Sequence, residues 1–231
     1  MNEARVQRRT VPVEVEGGSV PTVVQGPRDA VGVPAVVVVP SVFGPAPDLL
    51  ERLAELGDAA LVCVPDPFWR TGEGALRYGD MDAVVARFAA FDIQRCRAEM
   101  GAVAAWARAN GNGRVIGVGI CFGGPYVLRM AADGELDGVV TWHGSRMEQV
   151  LGRAGAITCP VRHHLGGVDA ITPPEVVDAL RSAFAAHPDA EIVVHRGADH
   201  GFSHDGPTWD PEVYGLAFAS LVELVERSSR S

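Results

Sequence analysis

Short runs of β-branched residues alternate with longer amphipathic stretches along most of the chain, the rhythm of a largely parallel sheet covered by helices. Residues 11–16 and 20–25 alternate apolar with polar around Gly17-Gly18, which predicts a hairpin at a sheet edge. Residues 35–39 (Ala-Val-Val-Val-Val) have no polar position and predict a strand buried on both faces. A helix is expected over 45–56 and a strand over 61–64, ending at Pro65-Asp66-Pro67. Residues 68–79 are polar and glycine-bearing, a long loop after a strand end, where function often resides. Residues 81–109 read as helical with a break near Phe91-Asp92. Strands are expected over 114–118, 138–142, 161–165 and 191–195, and helices over 174–186 and 208–226. No repeat, low-complexity block or linker divides the sequence. One α/β domain over 1–231 is therefore expected, with about ten residues at the start and about five at the end frayed.

Within that rhythm one turn carries chemistry. Gly119-Ile120-Cys121-Phe122-Gly123-Gly124 follows a predicted strand and precedes a helix-compatible run. This is the layout of the G-x-S-x-G nucleophile elbow with a thiol for the hydroxyl. The turn is so sharp that only residues without side chains fit at Gly119 and Gly123. Alone, G-x-C-x-G is equally compatible with a small buried thiol in a tight turn. Farther along come Asp169 in Gly166-Gly167-Val168-Asp169 and His200 in Asp199-His200-Gly201-Phe202. The order nucleophile, acid, histidine is that of the α/β-hydrolase triad. Asp199 is a rival acid, but side chains of adjacent residues diverge, which favours Asp169.

Each of the three follows a predicted strand, so the topology gathers them at one sheet edge, where open α/β sheets bind ligands. His200 is expected to take the thiol proton and Asp169 to fix the imidazole's tautomer. The elbow sets Cys121 at a helix N-terminus, which favours a thiolate. The backbone N–H groups of Phe122 and of Val42, in the loop after the 35–39 strand, are the expected oxyanion donors.

Composition narrows the setting. Hydrophobic residues make up 47% and charged residues 21%, ordinary for a globular fold with a full core. A formal net charge of −9 disfavours nucleic acid or an anionic membrane as partner. Cys63, Cys96, Cys121 and Cys159 show no zinc-type spacing, and the three outside the elbow read as small buried apolar residues. No signal-like or membrane-spanning run is present, so a reducing cytoplasm is the expected compartment. His163-His164 reads as a strand pair facing opposite sides, without a third ligand for a metal. His143 follows a strand at the functional edge and is a candidate pocket residue. Trp69, Tyr78, Phe43, Phe122, Trp142 and Phe202 lie in loops or strand ends where they could line an apolar pocket. Arg70 and Arg77 in the 68–79 loop are candidate anion contacts.

The motifs Gly-Ile-Cys-Phe-Gly-Gly, Gly-Gly-Val-Asp, Asp-His-Gly-Phe and Val42-Phe43-Gly44, with Ala90-Phe91-Asp92 before a long helix, resemble the dienelactone hydrolase family across roughly 20–226. That resemblance implies an α/β-hydrolase fold and hydrolysis of small esters or lactones through a cysteine acyl-enzyme, with no metal or cofactor. Three departures bear on substrate. The family's glutamate before the Val-Phe-Gly turn is Ser41 here. Its carboxylate-binding arginine and tyrosine correspond to Met81 and Val85, counted back from Phe91-Asp92. A second arginine, after the histidine, corresponds to His204. Ser41, Phe43, Trp69, Arg70, Met81, Val85, His143 and Phe202 are accordingly the expected pocket residues, for a substrate other than dienelactone. The partner is then a small ester or lactone and the protein a monomer or homodimer. Two rivals remain: a thioesterase or other acyl hydrolase on the same triad, and a non-catalytic ligand-binding protein on a hydrolase scaffold, which the loss of the glutamate would suit.

Overall fold

The alternating N-terminal runs pair with each other first. In the computed structural model, which describes residues 7–230, β1 (Gln7–Val15) and β2 (Gly18–Gly26) form an antiparallel hairpin about Gly17 and Gly18. Both glycines have positive φ (72° and 148°), as so tight a turn requires. β2 continues antiparallel onto β4 (Leu61–Pro65). From there the sheet is parallel: β3 (Ala35–Val39), β5 (Val115–Ile120), β6 (Gly138–Trp142), β7 (Val161–Gly166) and β8 (Ala190–His195). The spatial order is β1-β2-β4-β3-β5-β6-β7-β8.

Successive side chains of a strand face opposite sides, and the uninterrupted valine runs feed two cores at once. On one face Val37, Val39, Val115 and Val139 pack with Met100 and Val103 of α3 (Ile93–Asn110) and Val127 and Met130 of α4 (Gly124–Ala132). On the other, Val36, Val38, Ile116 and Val140 meet Leu49 and Leu53 of α1 (Pro47–Leu53) and Leu221 and Leu224 of α6 (Pro211–Ser229). The two remaining helices are α2 (Met81–Phe88) and α5 (Pro174–Ala183). Among the described residues no helix is long and apolar enough to cross a membrane.

Several boundaries differ from the pattern in the sequence, each for a local reason. β1 opens at Gln7 rather than residue 11 because Gln7 to Thr10 pair in register with Gly26 to Val23, and Arg8 donates to the Gln25 side chain (2.8 Å). The other residues expected to fray at the start, 1–6, and Ser231 lie outside the described residues. α6 holds to Ser229, where Arg227 pairs with Asp189 and Glu223. The helix expected over 45–56 begins at Pro47, suited to a first helical position, and gives way after Leu53 to a 3-10 stretch, Ala54–Ala59, kinked at Gly57. The break near Phe91-Asp92 separates α2 from α3, with the Asp92 carboxylate accepting from the Arg95 N–H (2.9 Å). Two short 3-10 turns, Met147–Gln149 and Leu151–Ala156, fill a stretch whose sequence predicts no element.

Candidate active site

Five strand ends converge on one edge of the sheet. The Ser41-Val42 turn follows β3, Cys121 follows β5, His143 follows β6, Asp169 lies beyond β7 and His200 beyond β8. Cys121 sits at φ 50°, in the left-handed region that side chains other than glycine's rarely occupy. Its neighbours make the turn possible by having no side chain. A Cβ on Gly123 would lie 2.0 Å from the Val39 carbonyl oxygen, and one on Gly119 2.6 Å from Val127 Cγ2. Close approach, more than φ, is what these two positions demand.

The buried Asp169 carboxylate is held from two sides. One oxygen accepts the Ile171 and Thr172 N–H groups (2.7 and 3.2 Å), and the other accepts His200 Nδ1 at 2.8 Å. Asp199 does not compete, because its carboxylate accepts the backbone N–H of His200 (2.7 Å). Ligand atoms of Cys121, His200 and His143 all lie within 4.8 Å of one another. Burial works against a charged His200, but the Asp169 hydrogen bond and the adjacent Cys121 outweigh it and push the imidazole up to about 10. The Cys121 thiol also reaches the Ser145 hydroxyl at 3.8 Å, and the Ser145 N–H donates to the Cys121 carbonyl (3.0 Å).

His143 belongs to this cluster. It is fully buried at φ 38°, its ring edge-on to His200 (4.8 Å between centroids), and its Nε2 is 2.8 Å from the Ser203 hydroxyl. Burial, with His200 and His204 nearby, holds it well below the usual imidazole value, so it is neutral. A cysteine sulfur and two imidazoles this close are a donor set that a thiophilic divalent cation could accept. Because the three come from separate strand ends, no spacing in the sequence announces them.

The turn after β3 is braced from outside. Arg87, buried in the last turn of α2, donates to the carbonyls of Val42 (3.3 Å), Gly72 (2.5 Å) and Gly74 (2.9 Å) and stacks over Phe68. Asp66 ties the same loop by accepting the Phe68 and Gly74 N–H groups (2.9 and 2.5 Å). One arginine thus fixes both the 68–79 loop and the turn residue whose N–H is the proposed oxyanion donor. No pattern in the sequence marks it, since an arginine in an amphipathic helix looks like a solvated one.

A cavity of about 460 Å³ opens beside the thiol. Phe122, Pro125, Tyr126 and Arg129, one helical face in i, i+3, i+4, i+7 spacing, form its floor. Val84 and Phe88 of α2, with Ile93, form one wall; Ser145, Arg146 and Gln149 form the other, and Val42 closes an end. Cys121 does not line it, but its chain neighbour Phe122 and its contact Ser145 do.

The expected pocket residues fall into three groups. Val42 and Phe122 border the cavity, and His143 adjoins the thiol. Phe43 lines a neighbouring cavity with Tyr78 and His204, against whose rings it packs (4.9 and 6.0 Å). Ser41 is buried and turned back onto the Phe43 N–H (3.4 Å), so it caps the turn where the family's acid would stand. The others are placed elsewhere. Met81 and Val85 are 54% and 69% exposed, because on α2 the face bearing Val84 and Phe88 turns inward and theirs turns out. Trp69 and Arg70 stack on each other and bond to the buried Glu99 (3.1 and 2.8 Å), and Arg70 also donates to the carbonyls of Glu16 and Gly17. They fasten the 68–79 loop to the β1–β2 hairpin. Phe202 is fully buried core, backing His143 edge-on at 4.9 Å. Arg77 borders the neighbouring cavity, and Trp142 is core packed on Tyr214. His163 and His164 are buried and bonded to Thr141, Ser220 and His195.

A largely parallel eight-stranded sheet with helices on both faces, and a strained thiol, a buried acid and a histidine beyond the ends of β5, β7 and β8, define an α/β-hydrolase fold. The chain belongs to the dienelactone hydrolase family, whose model matches residues 20–227, and is a hydrolase of that family. It is 29% identical over 204 residues to carboxymethylenebutenolidase of Pseudomonas sp., covering 84% of each chain. To carboxymethylenebutenolidase 1 of Cupriavidus pinatubonensis it is 28% identical over 200 residues, 83% of this chain and 85% of that protein. Among solved structures, a Klebsiella pneumoniae protein carrying a provisional dienelactone hydrolase name superposes with TM-score 0.81 at 24% identity, covering 94% of this chain and 97% of that one. A dienelactone hydrolase-like promiscuous phosphotriesterase from metagenomic libraries superposes at 0.73 and 23% identity, covering 96% and 98%.

Proposed function

We propose that the protein hydrolyses small carboxylic esters or lactones through a thioester on Cys121, with His200 as proton carrier and Asp169 as its anchor. The observation that carries this reading is His200 held at 2.8 Å by a buried carboxylate while its ring lies beside a strained, half-buried thiol. In the first half-reaction the sulfur bonds to the carbonyl carbon with its proton already held on His200, whose imidazole is pushed up to about 10. The tetrahedral oxyanion is met by the N–H groups of Phe122 and Val42. Collapse breaks the carbon–oxygen bond, and His200 returns the proton to the leaving alkoxide. In the second half water attacks the thioester carbonyl, His200 takes and keeps the water's proton, and the acid leaves as the thiolate re-forms. A carboxylate that fixes the Nδ1 proton leaves Nε2 free for these transfers, which supports Asp169 in the anchoring role.

Dienelactone is not the substrate on this reading, because Met81 and Val85 point to solvent where an arginine and a tyrosine would be needed. Ser41 does not argue for a binding-only protein. It removes a carboxylate from beside the thiol and leaves His200 and Asp169 as the sulfur's ionic environment. A panel of p-nitrophenyl esters and aryl lactones tests the proposal. Turnover is expected with the wild type and a loss of at least three orders of magnitude in Cys121→Ala. Undiminished turnover in that variant would refute it.

A further inference from the structure

The cavity beside the thiol is lined mostly by apolar side chains and carries two arginines. Arg129 lies seven residues beyond Phe122 on the same helical face, and the exposed Arg146 lines the cavity from the turn after Ser145. Among the described residues neither guanidinium has an ion-pair or hydrogen-bond partner, although sixteen arginine–carboxylate ion pairs tie up just over half of the chain's arginines. Glu148, two residues from Arg146, pairs with neither. Arg146 is held at φ 54°, a conformation that costs free energy in a residue other than glycine and so calls for a reason. Gln149 adds an amide on the same wall.

We infer that Arg129 and Arg146 form a carboxylate subsite, so that the preferred ester is one whose acyl chain is apolar and ends in an anion. The inference rests on the hydrolase reading above and adds the substrate class. Geometry sets the length. Seven residues of helix span about 10 Å, and the Arg129 side chain leans back toward the helix N-terminus and the thiol. A medium-length, unbranched ω-carboxyacyl chain bridges that gap, its methylenes lying between Phe122 and Tyr126 below and Val84 and Phe88 beside it. A neutral chain of equal length buries the same apolar surface but leaves two cations without a counter-charge. A short diacid does not span the helical turns between Phe122 and Arg129.

The test compares the mono-p-nitrophenyl esters of suberate and succinate with p-nitrophenyl octanoate, on the wild type and the Arg129→Gln/Arg146→Gln double variant. The wild type is expected to favour the suberate ester over octanoate in kcat/KM by on the order of ten- to a hundredfold, mostly through KM, and to lose that preference in high salt. In the double variant the ratio should fall to about unity, whatever the absolute rates. Equal use of both esters by the wild type, a preference for succinate, or a ratio that survives in the double variant would overturn the subsite. Binding of suberate itself separates this inference from the hydrolase reading. The diacid should raise the Tm of the wild type but not of the double variant, even if no ester is turned over. No Tm shift in the wild type contradicts the subsite while leaving Cys121 chemistry intact.

Discussion

Three residues carry the local physics of the site: Gly123, Asp169 and Cys121. The glycines of the elbow were legible because a turn of that kind tolerates no Cβ, and the contact distances supply the reason. Gly123→Ala would drive a methyl to 2.0 Å from the Val39 carbonyl, a backbone atom that cannot yield. It should cost roughly 3 kcal/mol or more, read as a drop in the urea midpoint. A variant as stable as the wild type would mean the elbow is looser than drawn. Asp169 gives a second expectation. Asp169→Asn keeps the shape but can present an N–H where His200 Nδ1 donates, reversing the tautomer. A fall in kcat of two to four orders of magnitude, with KM little altered, is expected. A fall below tenfold would assign the anchoring role to another group.

At the scale of elements, the strands were legible, and the rotation of α2 and the partners of the 68–79 loop were not. Runs such as residues 35–39 have one physical outcome, burial on both faces, so the strand ends and the chemistry attached to them follow from the sequence. The inward face of α2 did not follow, because counting back from Phe91-Asp92 fixes position along the chain, not rotation about the helix axis. One residue of rotation exchanges Val85 for Val84. Trp69 and Arg70 fall outside the pocket for a related reason: their partner Glu99 lies on α3, with α2 between, and no pattern pairs it with them. Arg87 is the strongest link between elements, and it acts by positioning. Arg87→Met removes three carbonyl contacts and should loosen the 68–79 loop and the Val42 peptide together. Faster limited proteolysis within 68–79 and a ten- to hundredfold lower kcat are expected. Normal kcat with an accelerated cut would show that the loop and the oxyanion turn are independent.

For the whole molecule, the histidines set the pH range in which the fold persists. Burial keeps native His204 and His164 neutral down to about 4 and His163 to about 3, whereas in the unfolded chain each titrates near 6.5. Between those values the unfolded state binds more protons, so stability falls as pH drops through that window, by up to about 1.4 kcal/mol per pH unit for each histidine. His200 works the other way: its contribution is full below about 6.5 and is lost as pH rises toward about 10. Paired carboxylates such as Asp137 and Asp189 are held below their ordinary value and give way only at still lower pH. A marked fall in Tm between pH 6.5 and 4.5 is therefore expected, and an equal Tm at both would contradict the buried, neutral state of these rings. The account as a whole turns on one group, the sulfur that Gly119 and Gly123 leave standing at the end of β5. Rapid-quench mass spectrometry during turnover of an activated ester tests it most directly. The acyl mass should appear on the peptide containing Cys121 within the first turnover and decay as substrate is exhausted. Steady turnover with that peptide unmodified, or the same acyl mass on another residue, would contradict the account.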